Sequence, residues 1–238
     1  RSRPATHSGE TTVSTESASS STKPAERTDR ACMAILTSGG DAPGMNAAVR
    51  AAVGIGVGMG WRVMGVEHGY RGLVAGDLRP LGTGDGDGWA RYGGSVLGTS
   101  RCPEFARPEV RAGAIEKLVD EGVNALLVIG GNGSLTGAHK IAEEARGRIA
   151  VIGIPASIDN DLACTSLSIG VDTALNTIVE ACDRILDTAS SHDRTFIVEV
   201  MGRDCGYLAM TAAVAVGADG ALFPEAKLDD TQLVERVV

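Results

Sequence analysis

From Cys32 onward the chain repeats one pattern: a short apolar run, a glycine-rich turn, then a segment with helical period. The runs are Met33–Leu36, Arg62–Val66, Ala125–Ile129, Ile149–Ile154 and Phe196–Val200, with a further candidate at Gly220–Phe223. They are continuous rather than alternating, which predicts strands buried on both faces. The clearest helical segment is Val171–Asp187. Its apolar residues Val171, Ala174, Leu175, Ile178, Val179, Cys182, Ile185 and Leu186 form one helix face, and Asp172 supplies a negative charge where the helix dipole favours it. Strands alternating with helices predict an α/β fold with right-handed crossovers and a mainly parallel, doubly wound sheet. Residues 77–95, with six glycines and Asp85 and Asp87, break the rhythm and read as a long loop or irregular insertion.

Composition adds limits to this picture. Residues 1–30 hold seven Ser and six Thr but no Leu, Ile, Phe or Met, so they read as a disordered tail. The 238 residues allow one large or two small domains, and the scarcity of aromatics disfavours a β-sandwich. A net charge of −8 argues against a nucleic-acid partner, though a local Arg cluster can still bind phosphate. The apolar stretch Cys205–Ala218 is 14 residues, short of the ~20 a membrane span needs. The five cysteines show no CxxC spacing, so neither a zinc site nor a disulfide framework is expected, and the chain reads as cytoplasmic.

Ligands of open parallel sheets bind beyond the carboxyl ends of the strands, so the residues just after each apolar run carry the candidate chemistry. The first run leads into Thr37-Ser38-Gly39-Gly40-Asp41, where paired glycines allow backbone N–H groups to approach a phosphate. A plain βα turn is the competing reading, and no Gly-Lys-Ser/Thr follows to make it a Walker A loop. Gly130-Gly131-Asn132-Gly133-Ser134 repeats the logic, with Ser134 as the expected helix N-cap. Next comes Ser157-Ile158-Asp159-Asn160-Asp161, whose two carboxylates suit a metal ligand or general base, or else an Asx-turn. Met201-Gly202-Arg203 follows the fifth run, and Arg194 stands at that run's opposite end. If both arginines touch one kind of substrate, Arg194 must serve a neighbouring chain. Arg101, beside Cys102, is a further cation next to a glycine-rich stretch.

Taken together, Thr37–Arg50, Gly130–Ala138, Ile154–Leu162, Ile169–Thr188 and Ser191–Leu208 resemble the 6-phosphofructokinases over about 31–230. The resemblance implies a phosphofructokinase-like fold: a Rossmann-like ATP-binding domain over 31–170 and the start of a substrate-binding domain over 171–238. It implies a cytoplasmic glycolytic kinase that transfers the γ-phosphoryl of ATP to fructose 6-phosphate, with Mg²⁺, in a homo-oligomer that is a tetramer in the family. Carried over by motif, Asp159 is the base toward the sugar hydroxyl. Ser157, where the family usually has Thr, contacts the phosphoryl group, and Asp161 supports the site. Arg203, Met201 and Gly202 hold the sugar phosphate, and Arg194 reaches the 6-phosphate of an adjacent subunit's substrate. Gly40, Arg101, Cys102, Gly131, Asn132, Gly133 and Ser134 bind the nucleotide, and Asn132 is the metal position.

The chain departs from the family pattern at three places. Asn132 replaces the family's Mg²⁺-binding Asp, which removes a charge from a site that ordinarily relies on carboxylates and phosphates. Gly54 replaces an Arg tied to effector binding in bacterial members, although Arg50 is kept, so allosteric control is expected to differ. The family pattern also continues beyond Val238, so the chain reads as the N-terminal two-thirds of a family chain. Gly133 and Ala156 stand where the pyrophosphate-using branch has Asp and Lys, which favours ATP. The alternatives are that branch and a catalytically weakened regulatory or binding subunit.

Overall fold

The computed structural model describes residues 30–237. The Ser/Thr-rich tail expected over 1–30 lies, apart from Arg30, outside the described residues. Five strands, β1 (Cys32–Ser38), β2 (Arg62–Val66), β3 (Leu78–Leu81), β4 (Ala125–Gly130) and β5 (Ala150–Pro155), form one sheet in the order β3-β2-β1-β4-β5. All pairings are parallel except β2 with β3. Seven α-helices occur among the described residues: α1 (Met45–Gly58), α2 (Gly69–Ala75), α3 (Pro108–Asp120), α4 (Asn132–Ala145), α5 (Val171–His192), α6 (Tyr207–Val216) and α7 (Asp230–Val237).

The strand period of two sorts the core into two layers. Ala34 and Leu36 of β1 and Leu126 and Val128 of β4 face one way, onto Leu73 of α2, Ile115 and Leu118 of α3 and Ile141 of α4. Ile35, Leu127 and Ile129 face the other way, onto Met45, Val49 and Val53 of α1. Helices therefore cover both faces of the central strands, as their continuous apolar runs predict. Local signals set the helix starts. Pro108 and Glu109 open α3, with Lys117 in its last turn to complement the dipole. Gly44 opens α1 at φ 103°, a conformation that favours glycine, and a Cβ there would stand 3.0 Å from Ile169 Cγ2.

Several expectations need correction. The runs Phe196–Val200 and Gly220–Phe223 form no strand: neither finds a sheet neighbour among the described residues, and a strand cannot satisfy its backbone alone. Ile197 is 74% exposed. Arg194 therefore does not mark the far end of a strand. The 77–95 stretch is not all loop, because Leu78–Leu81 pairs with β2 as an antiparallel edge strand, where Pro80 is tolerated. β5 is not buried on both faces. It is the other edge strand, and its Ile152 is 60% exposed. The helix expected over Val171–Asp187 runs on to His192. Only its Val171 is buried, while the apolar stripe packs partly against α6.

Candidate active site

The sheet changes direction between β1 and β4. β1 leads outward through α1 to β2, and β4 leads the other way to β5. This switch point is where ligands of open α/β sheets bind. The strand register places Ser38 beside Gly130 and Gly130 beside Pro155, so three strand ends finish in one row. Small residues make that row possible. A Cβ on Gly130 would stand 2.5 Å from the Ser38 carbonyl oxygen and 2.7 Å from Ser134 Cβ, and one on Gly39 would stand 3.1 Å from Ser134 Oγ. The next loop is equally close: Gly131 lies against Ser157, with 3.6 Å between a Cβ built there and Ser157 Cβ.

The loop after β1 leaves Gly39 and Gly40 exposed, with open space beside Gly40. Helix α4 starts at Asn132 with Gly131 as N-cap and without a side-chain cap. Ser134 is thus not the N-cap. It lies buried in the first turn, because its side chain packs against Gly39 and Gly130. An uncapped helix start with open space beside Gly133 suits an anion. Asn132 is the exposed first residue of this helix.

Arg101 and Cys102 precede a 3₁₀ turn, Pro103–Ala106. Arg101 is exposed, Cys102 is half-buried, and burial pushes the Cys102 thiol up. The stretch leading to them is fastened by residues that the sequence motifs hid. The buried Asn46 donates to the carbonyls of Tyr92 and Gly93 and accepts from the Val96 N–H. Thr37, also buried, accepts from the Ser95 hydroxyl and donates to the Gly98 carbonyl. These residues sit inside the Thr37–Arg50 motif, where the glycines drew attention and a buried amide on an apolar helix face was the available signal.

On the other side, Asp159 is half-buried and Asp161 exposed. Asp159 shares a cavity of about 350 Å³ with Glu199, Val200, Met201, Gly202 and Arg203. The structure thus brings the Met201–Arg203 turn to Asp159 without a strand beneath it. Gly202 has φ 145°, and a Cβ there would meet the Cys205 carbonyl at 2.4 Å, while Arg203 is held at φ 51°. Glu199 is a further carboxylate of this cavity that sequence reasoning missed. Its signal was a lone acid inside an apolar run. Arg194 follows α5, donates its N–H to the Ala189 carbonyl, is exposed, and is not among the residues lining this cavity.

Among the described residues no group of three or more His, Cys, Asp or Glu side chains is placed to hold a metal ion by itself. None of the described helices is long and apolar enough to cross a membrane.

A mainly parallel sheet covered by helices on both faces, with a glycine crevice at its switch point and an acid–arginine cavity beside it, defines an α/β protein of the doubly wound class. The family model described as Phosphofructokinase matches residues 32–238, and the chain belongs to that family. It is 52% identical over 206 residues to an ATP-dependent 6-phosphofructokinase of Thermotoga neapolitana, covering 87% of this chain and 64% of the relative. It is 54% identical over 205 residues to that of Staphylococcus carnosus, covering 86% and 63%. The chain thus spans a little under two thirds of the length of these curated relatives. Among solved structures, phosphofructokinase from Saccharomyces cerevisiae superposes with a TM-score of 0.76 at 42% identity, over 80% of this chain and 28% of that one. A pyrophosphate-dependent phosphofructokinase from Marinobacter aquaeolei gives 0.75 at 22% identity, over 87% and 56%, which shows a shared fold.

Proposed function

We propose that the protein is an ATP-dependent 6-phosphofructokinase, phosphorylating fructose 6-phosphate at its 1-hydroxyl. The observation that carries this reading is the cavity joining Asp159 to Met201, Gly202 and Arg203, next to the Gly39–Gly40 and Gly130–Ser134 crevice. In this reading residues 31–170 hold the nucleotide, and 171–238 begin the unit that holds the sugar phosphate. Gly40, Arg101, Cys102 and Gly131–Ser134 cradle ATP. Arg203, with Met201 and Gly202, holds the sugar phosphate. Asp159 takes the proton of the 1-hydroxyl as that oxygen bonds to the γ-phosphorus and the bond to ADP breaks. Ser157 and Asp161 act beside the transferring group. Such a reaction depends mainly on positioning and charge stabilisation.

Mg²⁺ enters with ATP as part of the substrate. The available donors, the Asn132 amide and the Asp161 carboxylate, are oxygens that suit a hard cation whose other ligands are phosphate and water. The open space beside Gly133 and the apolar, buried Ala156 support ATP over pyrophosphate. We place Arg194 at the 6-phosphate of a neighbouring subunit's substrate, in a cytoplasmic homo-oligomer, a tetramer as in the family.

Replacing the base tests the reading. In the whole protein, Asp159→Ser is expected to lower kcat by ~10²–10⁴-fold, the usual worth of general base catalysis, with far smaller changes in substrate binding. Equal kcat in variant and wild type removes Asp159 from this role. Turnover absent in the wild type, with ATP binding intact, favours a regulatory subunit instead.

A further inference from the structure

The loop that carries Asp159 is fastened from the far side by a strap that leads into α5. The strap, residues 166–170, runs parallel to the end of β5: Ala156 and Ile169 form a bridge, and the Ile169 N–H donates to the Pro155 carbonyl at 3.0 Å. Within it Ser168 is 4% exposed. Its hydroxyl donates to the Ser157 carbonyl at 2.5 Å, and its N–H donates to Asn160 Oδ1 at 3.0 Å. Asn160 Nδ2 in turn donates to the Ser166 carbonyl at 3.1 Å. Asn160 stands at φ 53°, a left-handed conformation that Asn accepts better than most residues because its amide can bond locally. These bonds fall on Ser157 and Asn160, the residues bracketing the Ile158-Asp159 pair, and not on the Asp159 carboxylate.

We propose that Ser168, acting with Asn160, is a positioning residue that sets the backbone of Ser157–Asp161 and thereby aims Asp159 at the sugar hydroxyl. The proposal rests on the phosphoryl-transfer reading. Its physical basis is that the Asp159 carboxylate must face the cavity shared with Arg203, and the backbone that directs it is locked by a buried hydroxyl on one side and a side-chain amide on the other. A clamp that served folding alone would affect melting and leave the turnover of folded enzyme intact. A clamp that aims the base acts on kcat, because small misplacements of a reacting group are costly to rate while binding contacts made elsewhere survive.

The test uses Ser168→Ala, Ser168→Thr and Asn160→Gly in the whole protein. Asn160→Gly removes the side-chain bonds and keeps the left-handed backbone accessible. Ser168→Ala and Asn160→Gly are expected to lower kcat ~10–100-fold while KM for ATP and fructose 6-phosphate stays within about threefold. Ser168→Thr, which keeps the hydroxyl, is expected to restore most of the rate. Wild-type kcat in folded Ser168→Ala overturns the proposal, whatever its melting temperature. If Ser168→Ala does not fold, Asn160→Gly decides by the same criterion. Amide exchange separates this proposal from the functional reading. Even if the wild type shows no kinase activity, Ser168→Ala should speed exchange at 157–161 and leave β4 unchanged. Unaltered exchange there refutes the clamp independently of the reaction.

Discussion

The Tyr70 hydroxyl donates to the Ser134 carbonyl across 2.6 Å, tying α2 to the first turn of α4. The Tyr70 ring stacks on Phe105 at 4.1 Å, and it leaves no space at Gly137, where a Cβ would come within 2.9 Å of the ring. Burial pushes the phenol well above its ordinary pKa, so it stays a donor through the physiological range. Tyr70→Phe keeps the packing and removes the bond. It is expected to lower stability by about 1 kcal/mol, the net worth of one buried hydrogen bond, and to weaken ATP binding more than sugar binding. Urea titration and nucleotide titration check the two effects, and equal loss for both ligands would argue against a specific hold on α4.

Asn132 begins α4 with a neutral amide, where the resemblance to the phosphofructokinases leads one to expect an Asp. An added carboxylate next to Mg²⁺ bound to nucleotide phosphates supplies a charged oxygen that a hard cation prefers. Asn132→Asp is therefore expected to lower the Mg²⁺ concentration for half-maximal nucleotide binding. A midpoint that does not move would mean that Asn132 never meets the ion.

Arg111 is almost wholly buried, yet fully engaged. Its guanidinium forks onto Glu144 at 2.6–3.0 Å and donates to the carbonyls of Phe105 and Ala106 at 2.9 and 2.7 Å. The Glu144 hydrogen bond raises the guanidinium pKa, with burial opposing. The pair locks the turn after Arg101 and Cys102 to α4. Glu144→Gln leaves the buried cation without its counter-charge. The Glu144 side chain is 32% exposed, so the expected loss is about 2–3 kcal/mol, below the full cost of breaking a buried pair. Chemical denaturation measures it, and a change within error would place the stability of this turn elsewhere.

Both oxygens of Glu225 accept the Gly206 N–H, at 2.8 and 3.0 Å, where Gly206 caps α6. That backbone donor holds the carboxyl below its ordinary range. A depressed folded-state pKa means that the stabilisation is complete above the unfolded value, ~4.3, and is lost as pH falls through the folded value. Acidification below about pH 4.3 is thus expected to loosen the start of α6 in the wild type. Glu225→Gln should flatten that part of the profile. Amide exchange of α6 between pH 6 and pH 3.5 reads the difference, and parallel profiles would exclude Glu225 as the titrating group.

The central strands were legible because their information is local. Met33–Leu36 and Ala125–Ile129 are apolar on both alternating faces, and each ends at a crowded turn that holds a glycine, Gly39 and Gly130. The helical period of Val171–Asp187 was equally plain. Phe196–Val200 carries the same apolar signal and forms no strand, while Leu78–Leu81, with Arg79 and Pro80, looks like loop and pairs with β2. A strand exists only where a neighbour accepts its hydrogen bonds, and a run of side chains does not state who the neighbour is.

Local pattern along the chain accounts for the layered α/β arrangement around β1 and β4, the glycine turns at their ends, and Asp159 and Arg203 as candidate chemistry. Each follows from short-range pattern: apolar period, glycine at a crowded turn, a charge just past an apolar run. Tertiary structure alone decided that Asp159 and Arg203 share one cavity, that Glu199 joins them, and that Ser168, Asn46, Tyr70 and Arg111 hold the loops in place. Asn46, Tyr70 and Arg111 are joined by hydrogen bonds to partners 33 to 64 residues away, and Ser168 to partners 8 and 11 residues away, beyond the reach of any helix or strand period. Such contacts arise from how packed elements lie against one another, and they leave no periodicity in the sequence from which to read them.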